Sequence, residues 1–108
     1  MRKIFAITFF SSLLLLLIFQ SCGRKPFACF RTDVDEDSIH VNEPVIFNSV
    51  CSSNGNSFFW EFYDNEDSIF FTPTVQKIFY DTGNVKVFLL VTNGNKSSTV
   101  SREIHVGL

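Results

Sequence analysis

Val85-Lys86-Val87-Phe88-Leu89-Leu90-Val91-Thr92-Asn93-Gly94-Asn95 decides the fold. Val85, Val87, Leu89 and Val91 recur at every second position, the repeat of a strand that buries one face, because successive strand side chains point to opposite sides. Asn93-Gly94-Asn95 ends the run with residues that tolerate positive φ, a hairpin signal, and Ser97 to Val106 supplies the returning strand. Working towards the N-terminus, Phe58 to Tyr63 alternates in the same way, with Phe58, Trp60 and Phe62 on one face and Phe59, Glu61 and Tyr63 on the other. Asp64-Asn65-Glu66-Asp67 reads as a turn, Ser68 to Phe71 as a short strand before Thr72-Pro73, and Val75 to Tyr80 as an extended stretch broken by Asp81-Thr82-Gly83-Asn84. Val45 to Val50 forms a strand after the turn Asn42-Glu43-Pro44, with Val45 and Phe47 on one face, and Phe27 to Phe30 suggests a first edge strand.

No apolar stripe of helical period follows Phe19. Short strands spaced roughly 8–12 residues apart between turn signals predict an all-β chain, an antiparallel β-sandwich of about seven strands. A Trp60 strand preceding Tyr80 is also the layout of immunoglobulin-like sandwiches, with a core Trp and a tyrosine corner, so Trp60, Phe62, Tyr80, Val87 and Leu89 are expected in the core.

The beginning of the chain carries a different message. Arg2 and Lys3 precede an uncharged stretch from Ile4 to Phe19, with Gln20, Ser21 and Cys22 after it. A basic start, an apolar centre and a small residue at the boundary make a secretory signal. The 16 residues from Ile4 to Phe19 are short of the ~20 that a spanning helix needs, so an uncleaved anchor ranks second. Phe19-Gln20-Ser21-Cys22 resembles a bacterial lipobox and is similar to the bare Ser-Cys boundary of lipoproteins of the Bacteroidetes type. That resemblance implies cleavage before Cys22, diacylglyceration of the Cys22 thiol with acylation (palmitate) of the new amine, and a chain held on a bacterial outer membrane in the cell envelope, periplasmic or surface-facing. Gly23-Arg24-Lys25 in place of an acidic run after Cys22 speaks for the periplasmic side. The expected organisation is a signal peptide over 1–21, a lipidated tether over 22–26 and a sandwich domain over 27–108.

The chain has 108 residues with 14 Phe, 19% charged residues and a formal net charge of −2. Loss of Arg2 and Lys3 with the signal leaves seven basic against 11 acidic residues. That balance gives no electrostatic footprint for nucleic acid. With Cys22 lipidated, Cys29 and Cys51 are left as an even pair. Export permits a disulfide between them, two free buried thiols being the alternative. Metal ligation has little support, since there is no CxxC and His40 and His105 stand apart in strand-like contexts.

Three blocks together resemble PKD (polycystic kidney disease-type) domains. Val41-Asn42-Glu43-Pro44-Val45-Ile46-Phe47-Asn48 is similar to that family's "vGepVtFtn" strand. Trp60-Glu61-Phe62-Tyr63-Asp64-Asn65 stands where the family carries WDFGDG. Pro73, Tyr80, Gly83 and Val85 to Asn93 match "P…Y…pGtYtVtLtvtN". The resemblance covers about Ile39 to Val106 and implies a non-catalytic, immunoglobulin-like module that contacts proteins or carbohydrates, with no cofactor. Tyr63 and Asn65 replace the two glycines of the motif, so the turn there is expected to differ, with Asn65 able to take a left-handed conformation.

Candidate sites follow from the faces. Phe59, Tyr63, Phe70, Phe88 and Leu90 fall opposite to the core positions and form a candidate aromatic face for a protein or glycan partner. Edge loops or the N-terminal segment covering them is the other reading. A structural subunit docking into a larger envelope complex through that face is the alternative function. Asp33, Asp35, Glu36 and Asp37 read as a solvated acidic loop rather than a calcium site, and Asp64, Glu66 and Asp67 are weak calcium candidates. No catalytic constellation of Ser, His and Asp is evident. Paired carboxylates exist, but nothing in the pattern gathers them into a pocket, so no enzyme is expected.

Overall fold

The computed structural model describes residues 24–108; the expected signal peptide over 1–21, Cys22 and Gly23 lie outside the described residues. Among the described residues the strands are β1 (Arg31–Thr32), β2 (Ile39–His40), β3 (Pro44–Asn48), β4 (Ser57–Tyr63), β5 (Ser68–Phe70), β6 (Thr74–Ile78), β7 (Gly83–Asn93) and β8 (Lys96–Gly107), with a 3₁₀ turn at Glu36–Ser38. They form a three-stranded sheet, β1-β3-β6, and a five-stranded sheet, β2-β8-β7-β4-β5. The expected β-sandwich is present.

The longest ladder joins β7 to β8, from Gly83↔Val106 to Asn93↔Lys96. The two residues between Asn93 and Lys96 close it, with Gly94 at φ +64° and Asn95 not at positive φ. Glycine at the first central position suits a II′ turn, whose twist matches that of the strands. A second glycine answers to space: a Cβ on Gly55 would stand 2.0 Å from Cγ1 of Val91, so the loop before β4 lies directly on the core edge.

Both inner faces are lined as the alternation requires. Val45, Phe47 and Val75 come from the three-stranded sheet, and Trp60, Phe62, Val85, Val87, Leu89, Val91, Ile104 and Val106 from the five-stranded one, all buried. Side chains of this size each contribute roughly 1.5–3 kcal/mol on burial. Phe47 sits at the centre, its ring 4.9 Å from Phe62 and 6.3 Å from both Trp60 and Phe79, in edge-to-face contacts. Trp60 satisfies its one polar atom by donating from Nε1 to the Thr72 carbonyl at 2.7 Å.

Three expectations change. Phe27 to Phe30 is no continuous strand: Phe27 makes a single bridge to Ser53, and pairing resumes at Arg31. Phe30 turns inward instead and is fully buried, 5.5 Å from Trp60. Tyr80 is not a core residue; it is 63% exposed, and Phe79 beside it is buried. Ile39 and His40 pair in parallel with Val106 and Gly107, closing the edge of the five-stranded sheet.

Cys29 and Cys51 are joined in a disulfide with Cα atoms 5.3 Å apart. Around it, Ser52 Oγ donates to the Cys29 carbonyl at 2.6 Å and accepts from the Cys29 amide at 2.9 Å. Ser98 Oγ accepts from the Ala28 amide. The N-terminal segment is thus fastened to the β3–β4 loop and to β8.

Candidate functional site

Directly opposed residues of an antiparallel pair share a face, so the ladder registers fix what lies outside. Across β4, β7 and β8 the outer rows read Phe59–Leu90–Thr99, Glu61–Phe88–Ser101 and Tyr63–Lys86–Glu103. Ile69 pairs with Glu61 and extends the middle row to the edge strand. Phe71, just past β5, adds a ring 5.6 Å from Phe59, which in turn lies 6.4 Å from Phe88. Phe59, Tyr63, Phe88 and Leu90 therefore share the outer face, with Phe71 at 71% exposure the most accessible residue beside them.

Phe70 does not belong to it. It pairs with Trp60 and so shares the inner face, packing 5.8 Å from Phe62. Ile69 and Phe71 occupy the outward positions instead. Both were part of an apolar triplet, Ile69-Phe70-Phe71, in which alternation offers no contrast to set the phase.

The rings on this face meet edge to face, with interplanar angles of 61° and 73°. They form a ridged apolar cluster rather than a level platform. Polar groups border it: Tyr63 donates its hydroxyl to Glu61 Oε2 at 2.7 Å, and Lys86 Nζ lies over the Tyr63 ring at 5.4 Å. The hydrogen bond to Glu61 is the main reason the Tyr63 phenol titrates above its ordinary value, with desolvation and the charges of Glu61 and Asp67 acting in the same direction.

The β4–β5 turn is organised around a cation from the chain itself. Lys77 projects inward from β6, and its buried ammonium lies 2.7 Å from Asp64 Oδ2 and 3.8 Å from Glu66 Oε2. It also donates to Ser68 Oγ at 2.8 Å and sits 5.8 and 5.6 Å from the Phe62 and Phe79 ring centres. Two of the three weak calcium candidates thus converge on Lys77. Asp67 takes the left-handed conformation, φ +47°, where Asn65 had been expected to. Asn65 instead donates from Nδ2 to Asp81 Oδ2 at 2.6 Å and ties this turn to the β6–β7 link. Among the described residues no group of three or more His, Cys, Asp or Glu side chains is placed to hold a metal ion.

The same end holds a polar cleft of ≈ 170 Å³ between Tyr63, Asn65, Tyr80, Asp81 and Asn84, well below the roughly 300–1,000 Å³ of small-molecule pockets. On the acidic loop, Glu36 pairs with Arg102 at 2.8 Å. The Arg102 guanidinium lies 3.9 Å over the Phe30 ring, and its Nη2 donates to the Phe30 carbonyl at 2.7 Å.

Among solved structures, the chain is similar to one reported for the promiscuous specificity of carbohydrate-binding modules from the β-sandwich superfamily, at 31% identity and a TM-score of 0.65. That likeness covers 78% of this chain but only 35% of the other, so the chain spans about a third of that relative's length. The PKD1 domain of the Vibrio cholerae metalloprotease PrtV matches at 23% identity and a TM-score of 0.60, over 79% of this chain and the whole of that domain. The fold is a PKD-like β-sandwich. The PKD1 domain of Vibrio anguillarum Epp agrees, at 20% identity and a TM-score of 0.60 over 79% of this chain and 96% of the other. No family model and no curated protein matches the sequence. The PKD-like assignment therefore rests on the fold together with the three sequence blocks.

Proposed function

We propose that this chain is a non-catalytic binding module of the bacterial cell envelope, tethered through an acylated Cys22, which presents the outer face of its five-stranded sheet to a protein or glycan partner. The observation that carries the binding reading is the outward-facing cluster of exposed Phe71 with half-buried Phe59 and Phe88, extended by Ile69, Leu90 and Tyr63 on a face that no second layer of the described residues covers. Contiguous exposed apolar surface on a small domain marks an interaction site. The likeness to a β-sandwich carbohydrate-binding module supports a glycan among the candidates. The edge-to-face rings favour a protein partner that fills the ridges, which is the assembly-subunit reading. Tethering is supported by Arg2 and Lys3, the uncharged stretch to Phe19 and the Ser21-Cys22 boundary.

The test compares wild type with Phe71→Ser, an exposed site whose loss leaves the core intact, for retardation by soluble polysaccharides and for photocrosslinking in intact envelopes. Phe71-dependent retardation assigns a glycan; Phe71-dependent crosslinks to one envelope protein assign assembly. Unchanged behaviour of the variant in both assays overturns the aromatic face as the site. Intact mass of membrane-extracted protein beside Cys22→Ala tests the tether: an acylated chain starting at Cys22 supports it, and an unmodified full-length chain overturns it.

A further inference from the structure

The two ends of the sandwich carry opposite charge. One end is built from residues 24–31, the β3–β4 loop at 48–57, the β5–β6 link at 71–74 and the β7–β8 hairpin tip at 92–98. The registers Asn48↔Thr74, Ser57↔Thr92 and Asn93↔Lys96, with the Phe27–Ser53 bridge and the Cys29–Cys51 disulfide, bring these segments together. They contain Arg24, Lys25, Arg31 and Lys96 and not one Asp or Glu. All 11 acidic residues lie elsewhere, on the link between β1 and β2, on the strands' middle parts or at the opposite end.

The basic end is also where exposed apolar side chains gather: Phe27 at 61%, Val50 at 77% and Phe71 at 71% exposure. Arg24 and Lys25 enter the sandwich there, immediately before Phe27. Basic side chains around protruding apolar ones are the chemistry of a surface that settles on anionic lipid, the cations drawn to headgroups and the apolar tips entering the boundary beneath them. A protein partner of the apolar tips alone would not require the exclusion of every carboxylate from four separate segments.

We infer that this end docks directly on an anionic bilayer, so that the sandwich stands on the membrane by contact as well as by its tether. The docking rests on Phe27, Val50 and the basic side chains, adjoins the partner-binding face only at Phe71, and holds whether the upstream attachment is acyl chains or an uncleaved apolar segment. It orients the molecule: the acidic end, with Tyr80 and the β4–β5 turn, points away from the lipid, and the ridged face of the five-stranded sheet stands upright.

The test uses the full chain in vesicles of phosphatidylglycerol with brominated phosphatidylcholine, whose bromines quench nearby indoles. Val50→Trp and Tyr80→Trp report on the two ends, with the buried Trp60 of the wild type as background. Expected is strong quenching at position 50, none above background at 80, and loss of the position-50 signal when Arg24, Lys25 and Lys96 are changed to Glu. Each basic residue near such a surface strengthens association about five-fold, so the triple change is decisive. Equal quenching at both positions, none at position 50, or the same signal in purely zwitterionic vesicles each overturns the inference. The Trp probes and the charge changes leave Phe71 in place, so these outcomes are read separately from the aromatic-face assays.

Discussion

The ammonium of Lys77 and the Oδ2 of Asp64 meet at 2.7 Å beneath the β4–β5 turn, with the lysine on the inner face of its strand. This pair, not a glycine, shapes the turn after Trp60. Removing the carboxylate strands a buried cation, at a cost of about 2–4 kcal/mol. Replacing the lysine by an apolar chain of similar length keeps the contacts with Phe62 and Phe79. Urea denaturation is therefore expected to show Asp64→Ala distinctly less stable than Lys77→Met, with the latter within about 1 kcal/mol of wild type. The reverse order would mean the ammonium itself holds the turn together.

The Cys29–Cys51 disulfide closes a loop of 22 residue steps. Reduction, or the double change to Ser, is expected to cost about 3 kcal/mol in the loop-entropy account. Denaturant titrations with and without reductant measure it. A loss near zero would show that Ser52 and the Phe27–Ser53 bridge already confine the segment.

Gly55 lies against Val91 with no room for a methyl group. Gly55→Ala is expected to destabilise the domain by about 1–3 kcal/mol through overpacking. A Gly55→Ala, Val91→Ala double variant should lose less stability than the sum of the two single losses, and thermal melts of the three proteins decide it.

Trp60 is buried and its indole donates to Thr72. Trp60→Phe leaves that carbonyl without its donor and the site under-filled, with an expected loss of about 2–3 kcal/mol. As Trp60 is the single tryptophan, the wild-type emission should be blue-shifted and move to the red in one transition with unfolding.

The Tyr63 phenol is held above its ordinary titration range chiefly by its bond to Glu61. In a Tyr80→Phe background, where Tyr63 is the only tyrosine, absorbance of the phenolate is expected to develop above the value of a free tyrosine, and Glu61→Ala should lower it. The sign for stability follows: a raised native pKa adds stability that is whole below the unfolded value near 10 and fades as pH climbs through the native one. A phenol insensitive to the loss of Glu61 would show that the bond does not persist in solution.

The strand order of β7 and β8 and the inner row Trp60, Phe62, Val87 and Leu89 could be read from the chain because polar and apolar residues alternate there. Reading failed where that contrast vanishes. Ile69-Phe70-Phe71 is apolar at every position, so only the pairing with Trp60 reveals that Phe70 turns inward. Val75, Lys77 and Phe79 all face the core, but a lysine at the middle position breaks the apolar repeat, and the immunoglobulin-like layout put Tyr80 in the core instead. Its partners, Asp64, Glu66 and Ser68, lie 9 to 13 positions away, beyond any local pattern. The parallel pairing of Ile39 with Val106 spans almost the whole domain and leaves no local trace.

The covalent link near the N-terminus also settles how the domain would respond to being pulled. Tension entering along residues 24–28 reaches Cys29 before it reaches the two-residue ladder of β1, and the disulfide shunts it into the β3–β4 loop. From there it divides between β3, held by β6, and β4, held by β5 and β7. That two-residue ladder is thus kept out of the load path. A domain moored at that end can be dragged by whatever it holds without being peeled open from its first strand.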